Sequence, residues 1–166
     1  MALRIRQAMS IDHAITRDLV DAAFRPEDVV TFLDALRAEG CELGEWVAED
    51  DDGIVGHIAF SRVHIGYPDG PPIPAAILTP LAVLPSRQRQ GIGLALVTET
   101  LAELRSRGET RIFVLGHPDY YPKVGFRSVP ASRLANPWPD EPAFMAIGDW
   151  PQGGTLLLPK AISEAH

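Results

Sequence analysis

The stretch LTPLAVLPSRQRQGIGLALV, residues 78–97, decides how this chain is read. Leu78 to Leu84 is apolar apart from Thr79 and stops at Pro85, as a buried strand would. A short polar loop carrying Arg87 and Arg89 follows, and Gly91-Ile92-Gly93 then opens a helix. Glycines at such a turn let a ligand approach the backbone closely. The first amides of a helix lack internal partners and point outward, so with the helix dipole they form an anion site suited to a pyrophosphate. Arg87 and Arg89 add positive charge nearby. Two familiar phosphate motifs do not fit. A dinucleotide fingerprint needs a third glycine where Leu96 stands, and a P-loop needs Lys-Ser/Thr where Leu94-Ala95 stands. Taken alone, the same string also fits a glycine-rich helix start with no ligand.

Working outward, Gly91 to Arg107 is a helix whose Leu94, Val97, Leu101 and Leu104 share one face, with Gly108 as its stop. Upstream, Leu3 to Gln7 reads as a strand, Ser10 as an N-cap, and Ile15, Leu19, Ala22 and Ala23 as a helical face. Pro26 opens a second helix with Val29, Phe32, Leu33 and Leu36 on one side, ended by Gly40. Trp46 to Glu49 and Ile54 to Ile65 are strands of a hairpin turned at Asp50-Asp51-Asp52-Gly53, and that acidic triplet reads as a solvated turn. Tyr67 to Pro74 is a loop and Ala75 to Leu84 a central strand. Downstream come a short strand at Arg111 to Leu115, a short helix at Pro118 to Val124, a proline-rich loop at Pro130 to Pro142, and closing strands at Ala143 to Ile147 and Thr155 to Leu158. This order indicates an α+β, or mixed α/β, sheet in one domain over residues 1–166.

Composition bounds the function. Hydrophobic residues form 46% of the 166, enough for a real core rather than a disordered chain. The net charge of -7 argues against nucleic acid as the main partner, since phosphate backbones need a basic face. Cys41 is the only cysteine, so no intrachain disulfide forms, which suits a reducing compartment. No secretory signal opens the chain, and no apolar run reaches the roughly 18 residues of a spanning helix. We expect a cytoplasmic protein with no membrane partner.

Gln88-Arg89-Gln90-Gly91-Ile92-Gly93 resembles the acyl-CoA motif of the GNAT N-acetyltransferase superfamily, Gln/Arg-x-x-Gly-x-Gly/Ala. Tyr120-Tyr121-Pro122-Lys123-Val124-Gly125-Phe126 is similar to that family's Phe/Tyr-Tyr-x-x-x-Gly-Phe segment, at the matching distance. Gly56-His57-Ile58, Leu81-Ala82-Val83 and Leu115-Gly116-His117-Pro118 look like its bacterial YhbS-like branch. The resemblance implies a GNAT-type fold: a central twisted, mostly antiparallel sheet flanked by helices, with a splayed strand pair holding acyl-CoA. It implies acetyl-CoA as cosubstrate, no metal, the pantetheine arm along Leu81, Ala82 and Val83, and the pyrophosphate on Arg89, Gln90, Gly91, Ile92, Gly93 and Leu94.

The implied chemistry is direct acetyl transfer to a primary amine of a small molecule or protein, with Tyr121 as the acid that protonates departing coenzyme A. By spacing alone, a packed aromatic with its hydroxyl at the surface is the favoured reading of Tyr121, and Tyr120 reads as core. Some relatives place a basic Glu on the central strand, but Ala75 to Leu84 has no acidic residue. His57, His64, His117 or water remain as proton acceptors. Thr79 could orient a water, and Glu45 and Trp46 could line the acceptor side. The proline-rich segment with Trp138 could cover that side or join a dimer, but a plain surface loop is favoured over either. A non-catalytic acyl-CoA-binding module fits the glycine motif as well, whereas Tyr121 favours an enzyme; a ligand-free partner-binding domain would need neither motif.

Overall fold

The computed structural model describes residues 2–164. Strand β1 (Arg4–Gln7) leads through a short 3-10 turn into α1 (His13–Phe24), and α2 (Val29–Glu39) follows. Then come β2 (Glu42–Asp50), β3 (Gly53–Gly66), β4 (Ile73–Val83), α3 (Ile92–Ser106) and β5 (Ile112–Leu115). The chain closes with β6 (Arg127–Ser128), β7 (Phe144–Ile147), β8 (Thr155–Leu157) and α4 (Lys160–Ser163). The eight strands form one sheet in the order β1-β2-β3-β4-β5-β7-β6, with β8 on the far end of β3. Every pairing is antiparallel except that of β4 with β5. The mixed α/β, mostly antiparallel expectation therefore holds. No helix among the described residues is long and apolar enough to cross a membrane.

The sheet has a core on each face. Trp46, Ile58, Phe60, Ala76, Leu78 and Val114 pack under α3, which inserts Leu96, Val97, Leu101 and Leu104. Burying such branched side chains contributes about 1.5–3 kcal/mol each. Gly56 lets α3 lie close, because a Cβ there would come within 2.9 Å of Leu96 and 3.0 Å of Ile92. On the other face, Leu36, Val63, Ile77 and Phe113 form one cluster, and Leu19, Val20, Leu33 and Ala82 another beneath α1 and α2.

Several local expectations shift. Ser10 is not the cap of α1: it begins the 3-10 turn, and Asp12 accepts from the Met9 amide at 2.8 Å while pairing with Arg6. Helix α1 turns Thr16, Leu19 and Val20 inward and leaves Ile15 52% exposed, because the tertiary contacts, not hydrophobicity alone, set its rotation. Pro26 lies in the turn before α2, and Asp28 caps that helix by accepting from the Thr31 amide at 3.0 Å. Gly40, left-handed at φ 69°, ends it as expected. Leu94 is exposed and Leu96 takes the core position in its place. The expected helix before Val124 is a single 3-10 turn, Tyr121–Val124.

Candidate functional site: a parted strand pair and a helix mouth

The site begins where two strands part. Strand β4 pairs with β5 only through Ala76, Ile77 and Leu78, the last opposite Val114. Beyond Leu78 the β4 backbone runs on to Val83 with no β5 partner, leaving an open edge. A bulge sits at the same place: Ile58 opposes Leu81 and Phe60 opposes Leu78, so β4 holds one residue more than β3. The extra residue inverts the alternation of β4. Ala76 and Leu78 face α3 before the bulge, and Leu81 and Val83 face that side after it. Ala82 points the opposite way, buried beneath α1 and α2.

A cavity of about 360 Å³ lies on the α3 side of this opening. Its walls are Leu81 and Val83, the loop and first turn from Arg87 to Leu94, His117, Tyr120 and Tyr121, without Gln90. Arg89 and Gly91 both take left-handed conformations, φ 65° and 83°, so the chain curls sharply into the α3 mouth. Gln88 Nε2 donates to the Val83 carbonyl at 3.1 Å and ties this loop to β4. Of the residues expected to gather here, Ala82 and Gln90 do not line the cavity: Ala82 is core, and Gln90 accepts from Arg87. Arg87, expected to add positive charge nearby, does stand on the cavity wall, where it is paired with Asp50 and Asp52 of the acidic turn. That turn is accordingly more than a solvated connection.

Tyr121 is buried, with 6% of its surface exposed. Its ring packs edge-on against Tyr120 and Phe126 and lies so close over Gly116 that any Cβ there would collide with it. Gly116 follows β5 and seats this ring, which gives a physical reason for the glycine of Leu115-Gly116-His117-Pro118. Burial pushes the Tyr121 phenol above its ordinary value and keeps it protonated at neutral pH. Tyr120, read from sequence as core, does more. Its hydroxyl is buried with no hydrogen-bond partner in the described protein, and it lies beside Gly93 in the first turn of α3. The adjacency of two tyrosines was the only trace of this in the sequence.

The candidate proton acceptors disperse. His57 is fully buried on the α1–α2 face, its Nε2 2.7 Å from Glu45 Oε1, and Arg37 holds the same carboxylate at 2.7 Å. This hydrogen bonding and charge keep Glu45 ionised despite burial, which by itself would raise its pKa. Trp46 projects to the other face against Phe60 and under the Arg107 guanidinium. None of the three lines the cavity. His64 stands far along β3, opposite Pro74 and Leu157. Only His117 reaches the cavity wall. Thr79 lines a second cavity on the α2 side of the same strand break. Among the described residues, no group of three or more His, Cys, Asp or Glu is placed to hold a metal ion.

Residues 43–128 match the model of the acetyltransferase (GNAT) domain. The chain is 31% identical to the uncharacterized N-acetyltransferase YhbS of Escherichia coli K12 over 81% of its own length and 80% of that protein's. It is 45% identical to the uncharacterized N-acetyltransferase YjhQ of the same organism over 48% of this chain, a match that spans only 44% of YjhQ. Among solved structures, a GNAT family acetyltransferase from Brucella melitensis in complex with acetyl-CoA aligns with a TM-score of 0.79 and 34% identity, covering 97% of this chain and 98% of that one. The Escherichia coli YhbS structure, in complex with CoA, aligns with a TM-score of 0.85 and 26% identity over 97% and 92% of the two chains.

Proposed function

The chain belongs to the GNAT acetyltransferase family and is an acyl-CoA-dependent N-acetyltransferase; from that premise we propose that it moves an acetyl group from acetyl-CoA, bound at the β4–α3 cavity, to a primary amine, with Tyr121 as general acid. The observation that carries this is the coincidence of three features at one opening. The β4 edge freed beyond Leu78, the amide-rich mouth of α3 and Tyr121 all border the same space. The whole chain works as one acyltransferase domain. We place it in the cytoplasm, a reading supported by its lone Cys41.

The residues suit the ligand. The α3 mouth presents unpaired amides to a pyrophosphate over Arg89, Gln90, Gly91, Ile92, Gly93 and Leu94. Gln90 and Ile92 take part through backbone, since the Gln90 side chain is held by Arg87 and the Ile92 side chain is core. Likewise, of Leu81, Ala82 and Val83, it is Leu81 and Val83 that meet the amide-bearing pantetheine arm through backbone groups on the edge β5 has left, with Ala82 between them bonded to β3. The orphaned Tyr120 hydroxyl adds a further hydrogen-bonding group at the same wall.

Acetyl-CoA supplies an activated acyl carbon. A backbone N–H near Val83 steadies the charge that develops on the carbonyl oxygen. Tyr121 gives its phenolic proton to the departing sulfur. Its raised pKa does not oppose this, because a thiolate in the same low-dielectric slot gains basicity for the same reason. His117, on the wall, or water takes the proton that the amine loses; His57 is buried, paired with Glu45, and does not line this cavity.

The test is calorimetric titration of acetyl-CoA, paired with thiol release in an amine panel. Gly93→Ala sits in regular helix, and its Cβ would face Leu81, Val83 and Tyr120 across the cavity. We expect at least about a tenfold loss of acetyl-CoA affinity, the loss of roughly 1.4 kcal/mol. Undiminished affinity in a folded variant would place the ligand elsewhere.

A further inference from the structure

The strand break opens to both faces of the sheet. On the α2 side it meets the second cavity, about 310 Å³, walled by Phe32 of α2, Ile77 and Thr79 of β4, Leu115 of β5 and Trp138 of the proline-rich segment. The bulge makes this two-sided arrangement. Ile77 belongs to the core cluster on the α2 side, while Leu81 and Val83 belong with the α3 side. A molecule in this second cavity therefore reaches the freed β4 edge from the side opposite the α3 mouth.

Resting on the function proposed above, we propose that the acceptor binds in this cavity and is a small primary amine with an apolar, preferably aromatic, body and no anionic group, drawn in past Glu27 and Asp28 as the ammonium and then seated with its body between Phe32 and Trp138 and its nitrogen, once deprotonated, at the β4 edge beside Thr79. Both carboxylates border the cavity and both residues are exposed, so they form its rim. Hydrogen bonds from the Thr31 hydroxyl and amide hold Asp28 below the usual carboxylate range, so it stays charged at neutral pH. Among the described residues, no Lys, Arg or His lines the cavity to offset that charge. A primary amine is cationic in neutral water and is drawn to such a rim. The walls beneath are apolar and aromatic, a surface that favours a ring or alkyl chain and that an ammonium can approach over ring faces. The volume sits at the lower end of the roughly 300–1,000 Å³ of small-ligand pockets. The balance is R-NH3⁺ plus acetyl-CoA giving R-NH-acetyl, CoA-SH and one proton released to solvent. The N–C bond forms, the C–S bond breaks, and Tyr121, having protonated the sulfur, is reprotonated from water.

The experiment compares 2-phenylethylamine, phenylalanine, ethylamine and spermidine as acceptors. Thiol release is followed with mass detection of the product, and 2-phenylethylamine binding to the CoA-saturated protein is measured by calorimetry. We expect 2-phenylethylamine to exceed ethylamine about 10- to 100-fold in kcat/KM, the value of burying a ring, and to exceed phenylalanine at least about tenfold. Glu27→Gln, an exposed change that leaves the fold intact, should raise KM for 2-phenylethylamine with kcat kept, and Trp138→Ala should weaken its binding. Equal or better turnover of phenylalanine or spermidine overturns the inference. So does a protein that binds acetyl-CoA but acetylates none of the four. Failure to bind acetyl-CoA at all would instead refute the proposed function.

Discussion

A Cβ on Gly93 would stand 3.0 Å from the Tyr120 hydroxyl, a buried oxygen to which the described protein offers no hydrogen-bond partner. Burying a hydroxyl unpaired costs about 1–3 kcal/mol, so its position at the wall of the α3-side cavity points to a ligand that completes it. Tyr120→Phe removes the oxygen and keeps the ring. We expect the ligand-free protein to melt no lower than wild type, and the KM for acetyl-CoA to rise about 2- to 12-fold, one hydrogen bond's worth, with kcat kept. A lower melting temperature with unchanged KM would make Tyr120 a packing residue only.

Tyr121→Phe separates the neighbouring roles. General acid catalysis contributes about 10²- to 10⁴-fold, so kcat should fall by that order while acetyl-CoA affinity is nearly kept. The fall should shrink with thioesters whose leaving thiol is more acidic, because they need less protonation. Normal turnover under conditions where chemistry limits the rate would assign the proton to another donor.

Gly116→Ala probes the seat of that ring. The added methyl would occupy the space of the Tyr121 ring edge, so either the ring or the backbone after β5 must shift. Overpacking of this kind costs about 1–3 kcal/mol. We expect a lower melting temperature together with a kcat loss approaching that of Tyr121→Phe. Unaltered kcat would show that the ring's position is immaterial to catalysis.

Acid stability reports on the first turn. Hydrogen bonds from Arg6 and then the Met9 amide lower the Asp12 pKa from 3.8 to about 2. A depressed carboxylate pKa contributes stability above the unfolded value of 3.8 and loses it as pH falls toward the folded value of about 2. Asp12→Asn should therefore be less stable than wild type at pH 7, and the gap should narrow below pH 3.8 and nearly close by about pH 2. Denaturant midpoints across that range check it, and a constant gap would mean that the pairing with Arg6 has no thermodynamic weight.

Much of this protein was legible in local sequence. The apolar run ending at Leu84, the glycine pair at Gly91 and Gly93, and Tyr121 four residues before Gly125 are signals carried by near neighbours. Each names an element or motif whose physics is local: amides at a helix mouth, a positive φ at Gly91, a tight turn at Gly125. What the tertiary structure decided depends on partners distant in the chain. Alternation along Ile77 to Val83 would put Ile77, Leu81 and Val83 on one face. The bulge against β3 puts Ile77 on the opposite face from Leu81 and Val83, and so gives the break two sides. Arg87 reads as positive charge near the helix mouth, and only the β2–β3 turn, by bringing Asp50 and Asp52 to it, shows that the charge is paired. His57 reads as a possible base until Glu45 and Arg37 close around it. The Tyr120 hydroxyl becomes informative only once α3 is laid beside it and its missing partner can be seen. Strand register and the pairing of buried charges are set by contacts across the sheet, and residue order carries no direct record of those distances.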